Sequence, residues 1–207
     1  MTTLYIAPGA CSLGTQVVVR ELQLPIDIVK VPLRQADSPI HRINPLGRVP
    51  ALQLDNGTVI TENTAILPYL ADLKPEAGLI PAAGTVERAL VQSWLGFGSA
   101  EIHAGAFRIV NRGGSWVSDE GAQQELKDFG KSQLRKSFTH VNNALQNNTW
   151  ITGDNFTIAD AYLGVFVRWL AKFGNEFDDL QQLRRFRDAY EARPSVIAAL
   201  EFESAKG

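Results

Sequence analysis

The period of the hydrophobic pattern changes partway along this chain, and that change limits the folds open to it. Up to residue 73 short β-prone runs alternate with helical stretches; beyond residue 81 only helical spacing persists. Residues 3–7 are apolar and β-prone and are bounded by Pro8-Gly9, which predicts a strand. Within residues 12–24, Leu13, Val17, Val18, Leu22 and Leu24 follow a helical spacing that Pro25 stops. Residues 26–31 are strand-like again. Strand, helix and strand within about 30 residues make a βαβ unit, whose two strands run parallel. Asn44-Pro45-Leu46-Gly47 marks a turn, and Asn56-Gly57 between two β-prone runs marks a hairpin. Residues 62–73 suit a helix, with Pro68 expected in its first turns, where a missing N–H matters little.

The segment from Lys74-Pro75 to Ile80-Pro81 is the best linker candidate. After it, residues 85–111, 120–146, 158–173 and 180–191 suit helices, with a shorter one after Pro194. The expected fold class is α/β plus all-α: a small mixed domain at 1–78, a linker at 79–84 and an all-helical domain at 85–207. Within the helical part, Thr157 and Asp160 have the spacing of a capping box, with Phe156 before the cap. That gives Asp160 a structural task rather than a catalytic one.

Composition narrows the function. Hydrophobic residues at 45% and charged residues at 20% exclude a disordered or collagen-like chain. A net charge of -2 argues against a nucleic-acid binder. No apolar run approaches the roughly 18 residues of a membrane span, and the first residues lack the pattern of a signal peptide. The single cysteine, Cys11, forbids a disulfide within the chain and a cysteine-rich metal site, and fits a reducing compartment. The expectation is therefore a cytoplasmic protein with no metal and neither membrane nor nucleic-acid partner.

Four places carry candidate chemistry. Cys11 lies between a predicted strand and a predicted helix, where the partial positive charge of a helix N-terminus is expected to lower the thiol pKa below roughly 8.5. A buried, inert thiol is the other reading. Val49-Pro50 is either a cis turn that exposes the Val49 backbone to an extended ligand or a plain edge-strand proline. Glu62-Asn63-Thr64 opens a helix, where N–H groups suit a ligand carboxylate and Glu62 a ligand ammonium; taken alone it reads as an acidic cap. His103 shares a predicted helical face with Gly96 and Phe107, placed to exchange a proton with a bound thiol, though a lone histidine is more often structural. His41 and His140 read as surface residues.

Taken in order, Pro8-Gly9-Ala10-Cys11-Ser12-Leu13, Asn44-Pro45-Leu46-Gly47-Arg48-Val49-Pro50-Ala51-Leu52, Leu54-Asp55-Asn56-Gly57, Glu62 with Ala65-Ile66 and Tyr69-Leu70-Ala71-Asp72, and Phe156-Thr157-Ile158-Ala159-Asp160-Ala161 resemble the cytosolic glutathione transferases. The likeness is greatest to the bacterial beta class and covers essentially the whole chain. It implies a thioredoxin-like N-terminal domain, β-α-β-α-β-β-α, an α-helical C-terminal domain, a homodimer, and glutathione as cosubstrate. It also implies roles. Cys11 and His103 would flank the glutathione sulfur. Val49, before a cis Pro50, would pair with the cysteinyl part, and Glu62 and Asn63 would hold the γ-glutamyl end. Phe107 and Trp169 would line the acceptor pocket. Asn63 stands where the family usually carries a small hydroxyl residue, Gly96 where the class often has asparagine, and Ile6 where it often has tyrosine. The activity implied is conjugation of the glutathione thiolate to a small hydrophobic electrophile. The alternatives are thiol-disulfide exchange or reductive dehalogenation through Cys11, and a non-enzymatic ligand- or protein-binding member of the fold.

Overall fold

In the computed structural model, which describes residues 1–205, strand β1 (Thr3–Ile6) runs parallel to β2 (Asp27–Lys30), and helix α1 (Leu13–Glu21) crosses between them. A short helix α2 (Ile40–Ile43) leads to β3 (Ala51–Gln53), which turns through Asn56-Gly57 into β4 (Val59–Thr61), and α3 (Asn63–Asp72) follows. The sheet order is β2-β1-β3-β4, with β3 antiparallel to both neighbours. This is the thioredoxin-like arrangement expected. Its faces follow from strand alternation. Leu4, Ile6 and Leu52 point to the side covered by Val17 of α1 and Ile66 and Leu70 of α3. Ala51, with Tyr5 packed against it, faces the other way, toward Val31 and Ile40. Ile6 is therefore core, while the Tyr5 hydroxyl donates to Gln53 Oε1 on the opposite face.

One local expectation changes, and one segment shows more packing than its sequence announced. Pro68 is the sixth residue of α3 rather than a first-turn residue. The helix tolerates it because Ile66, Leu67, Leu70 and Ala71 are buried, and that burial outweighs one lost hydrogen bond. The segment expected as a linker is packed: Leu79 and Ile80 are buried, and the Leu79 carbonyl accepts from the Ile158 N–H.

The rest is helical. Helix α4 (Val86–Phe97) passes into a π-helical stretch, Gly98–Phe107, and then into α5 (Arg108–Arg112), so the long helix expected over 85–111 is widened in its second half. Then come α6 (Glu120–Ala144), α7 (Ile158–Trp169), α8 (Gln181–Glu191) and α9 (Pro194–Ser204), the last as long as α8 rather than shorter. Helix α7 is the central post, buried without a break from Ile158 to Val167. It touches the first half directly. A Cβ on Gly14 of α1 would lie 2.9 Å from the Ala161 carbonyl oxygen and 3.3 Å from Tyr162 Cα, so the backbones meet where only glycine fits. Helix α9 returns to the first half through a paired Arg193–Glu21 and through Lys30, which donates to the Phe202 and Ala205 carbonyls.

The capping box forms at the start of α7, and it does more than cap. Asp160 is fully buried; its Oδ2 accepts from the Thr157 N–H and hydroxyl, and its Oδ1 accepts from the Ile151 N–H. One carboxylate thus fixes both the helix start and the loop before it. Asp160→Ala would bury three donors without acceptors. It is expected to lower unfolding stability by about 3 kcal/mol, read as a fall in the urea midpoint, with Asp160→Asn milder.

Candidate active site

A cleft of 1110 Å³ opens between the two halves of the chain. The loop after β1 lines it with Pro8, Gly9, Ala10 and Cys11; the chain before β3 adds Val49 and Pro50; the start of α3 adds Glu62 and Asn63. The helical half faces them with Ser99, His103, Tyr162 and Trp169. All eight candidate residues, Phe107 included, therefore come to one cavity.

The β1–α1 loop is held from within. The Ala7 N–H donates to Ser12 Oγ, and the Ala10 N–H donates to the Ala7 carbonyl. Cys11 sits two residues before the helix, its Sγ donating to the Val49 carbonyl at 3.5 Å. Asn63 is buried and clamps this loop: its Nδ2 donates to the Cys11 carbonyl, and its Oδ1 accepts from the Thr15 hydroxyl at 2.6 Å. The Val49-Pro50 bond is cis.

The lowered thiol pKa expected for Cys11 is not what this environment produces. Burial pushes the thiol up to about 12; the hydrogen bond with Asn63 opposes this in part, and the Glu62 carboxylate adds a smaller rise. Desolvation disfavours the charged thiolate, while a helix N-terminus acts only within its first turn, and here the helix begins at Leu13. Glu62 is exposed and adopts φ 70°, ψ 130°, a positive φ rare outside glycine. Strain of that kind concentrates at ligand-holding positions.

His103 lies on the π-helical stretch, half-buried between Phe166 and Trp169, whose ring centroids are 5.4 and 5.5 Å away. Burial, then the neighbouring Arg48 charge, lowers its pKa below the usual histidine value, so the ring is neutral at neutral pH. Its Nδ1 is 3.5 Å from the Tyr162 hydroxyl. The phenol of Tyr162 is pushed well above its ordinary range, first by burial and then by the nearby Cys11, and stays protonated. Trp169 spans the cleft, its Nε1–H donating to the Gly9 carbonyl at 3.1 Å. Phe107 is fully buried and backs this wall, edge-on to Trp169 at 5.1 Å.

Sequence reasoning missed three residues of the lining. Tyr162 was hidden in a segment read only as a helix start; the signal was a hydroxyl within the apolar run of that helix, which needs a partner when buried. Ser99, rather than Gly96, is the residue that lines the cleft ahead of His103, because the π-helical stretch alters the spacing on which the shared face with Gly96 was based; Gly96 is exposed and outside the lining. His41, expected at the general surface, stands on the rim of the cleft. The lining is also strongly cationic: Arg34, Arg48, Arg108, Arg112, Arg168 and Lys172 face a single carboxylate, Glu62. Among the described residues no group of His, Cys, Asp and Glu is arranged to hold a metal ion, and no helix is long and apolar enough to cross a membrane.

Comparison with known proteins agrees with this geometry. The model of the glutathione S-transferase N-terminal domain matches residues 9–73, and that of the C-terminal domain matches residues 102–194. Glutathione S-transferase GstA of Escherichia coli O157:H7 is 34% identical over 98% of this chain and 99% of its own length. A bacterial beta class glutathione S-transferase of Sphingomonas chungbukensis superposes with a TM-score of 0.86 at 35% identity, covering 98% of both chains. A sphingomonad glutathione S-transferase complexed with glutathione superposes with a TM-score of 0.88 at 33% identity, covering 99% of this chain and 100% of its own.

The buried thiol makes a direct prediction. Native Cys11 is expected to react with an aromatic disulfide reagent at pH 8 at least about tenfold more slowly than free glutathione, and to match it after unfolding. Mass spectrometry of the adduct against time measures both rates; fast labelling of the native chain would contradict the burial argument.

Proposed function

The chain belongs to the glutathione S-transferase family and works as a glutathione transferase, conjugating glutathione to electrophiles; from that premise we propose how its residues divide the work. Residues 1–78 form the glutathione-binding domain and residues 85–207 the helical domain, with 79–84 between them. The observation that carries this reading is the meeting of Cys11, Val49, Glu62 and His103 in one cleft. The Val49 backbone beside cis Pro50 pairs with the cysteinyl part of glutathione. Glu62 takes the γ-glutamyl ammonium, and the first N–H groups of α3, at Asn63, take its carboxylate. The Asn63 side chain is already committed to Thr15 and Cys11, so it shapes the site from behind.

Near the sulfur, Tyr162 is a protonated donor and His103 a neutral ring. Tyr162 donates to His103 Nδ1, which leaves the imidazole proton on Nε2 to hydrogen-bond the glutathione thiolate. The thiol proton passes to solvent; the thiolate then forms a C–S bond with the electrophile, and the leaving group departs with its electron pair. Trp169, backed by the buried Phe107, walls the acceptor side, which suits a small hydrophobic ring. Thiol-disulfide exchange or reductive dehalogenation through Cys11 fits less well, because a thiol raised to about 12 supplies little thiolate at neutral pH.

Two copies are proposed to pair. The exposed Val86 and Leu90, one turn apart on α4, support this. The unpaired Cys11 supports a reducing, cytoplasmic setting. Sedimentation is expected to give a species of twice 22.7 kDa at micromolar concentration; a monomer alone would remove the pairing. Glu62→Gln is expected to weaken glutathione binding by about 1–2 kcal/mol in calorimetry, with the circular-dichroism spectrum unchanged. Unaltered affinity would take Glu62 out of the site.

A further inference from the structure

The acceptor side of the cleft carries more positive charge than a hydrophobic substrate needs. Arg108 and Arg112 stand on α5, and Lys172 lies just past α7. The Arg108 guanidinium lies 5.8 Å from the centre of the Trp116 ring, and the Lys172 ammonium lies 4.8 Å from the centre of the Phe107 ring while donating to Asn111 Oδ1. Phe107 in turn meets Trp169, and these aromatic and cationic residues all line the same cleft.

None of these three cations has a carboxylate partner among the described residues. Three carboxylates of the helical half are taken elsewhere, Glu191 by Arg168, Glu176 by Lys131 and Asp179 by Arg135, and no carboxylate of that half is in the lining. Glu62, the one carboxylate of the lining, comes from the first half with the glutathione-side residues. Arg34 and Arg48 also belong to that half, leaving Arg108, Arg112 and Lys172 to whatever occupies the aromatic wall. Unpaired cations in a cleft with apolar walls focus positive potential on its contents.

We propose that this wall selects anionic aromatic electrophiles: a ring bearing a carboxylate or sulfonate, seated against Trp169 and Trp116, with its anion among Arg108, Arg112 and Lys172. The inference rests on the transferase reading and adds the charge of the acceptor. In the reaction itself the thiolate sulfur bonds to the ring carbon, chloride leaves with the electron pair of the C–Cl bond, and the anion stays on the product.

The test compares 4-chloro-3,5-dinitrobenzoate with its methyl ester, each kcat/KM divided by the rate of the uncatalysed reaction with glutathione to remove the difference in ring reactivity. The carboxylate is expected to show an acceleration at least about fivefold above the ester, and the preference should shrink as ionic strength rises from about 0.05 to 0.5 M. Lys172→Met, which keeps the apolar stem over Phe107, and Arg112→Gln should each bring the ratio toward one. A ratio of one or less in the unaltered protein, or variants that leave the ratio in place, would overturn the proposal. Calorimetry of the two glutathione conjugates decides the same question without turnover, since tighter binding of the carboxylate conjugate is required. Turnover of neither substrate would count against the transferase reading, while the binding ratio would still decide the charge preference.

Discussion

The close approach of α1 to α7 at Gly14 governs the geometry of everything around the cleft. With no side chain at that position, the α1 backbone reaches the Ala161 carbonyl and Tyr162 Cα. That contact sets the loop carrying Cys11 beside the helix carrying Tyr162 and Trp169, so residues about 150 positions apart share one site. The Trp169–Gly9 hydrogen bond and the tie from the Gly9 N–H to Glu203 close the same seam from its two ends. Any bulk at Gly14 would push the halves apart beside the cleft, because close-packed backbones have no room to give.

That seam also decides the electrostatics. A helix N-terminus and a low-dielectric interior pull a thiol in opposite directions, and at Cys11 the interior wins. The same burial keeps Tyr162 protonated and His103 neutral. The site thus gathers a protonated phenol and a neutral imidazole beside a thiol that is hard to ionise. On the same helical half, the cations Arg108, Arg112 and Lys172 line the cleft from exposed positions, with burial lowering the Lys172 pKa somewhat.

Much of this was legible from residue order. Alternation placed Ile6 and Tyr5 on opposite faces of the sheet, the Asn56-Gly57 turn paired β3 with β4, and the spacing of Thr157 and Asp160 announced the start of α7. The meeting of Cys11, Val49, Glu62 and His103 was expected from resemblance, since nothing in their local sequence brings them together. The short α2 in a polar stretch, the π-helical widening that puts Ser99 on the cleft in place of Gly96, and the position of Pro68 inside α3 gave no local sign. Each is held by packing around it, which overrides propensity and periodicity.

By itself, then, the sequence determined the strands and the longer helices, where the pattern turns wholly helical, and that one thiol stands at a strand-to-helix junction. Those properties depend on neighbours a few residues away, through pleat, helical turn and turn chemistry. Only the tertiary structure decided that this thiol is buried and hard to ionise, that Tyr162 lines the cleft, and that three cations without carboxylate partners among the described residues line it with Trp116 and Trp169. Burial and charge pairing depend on groups distant in sequence, and local pattern carries no record of how far apart they end in space.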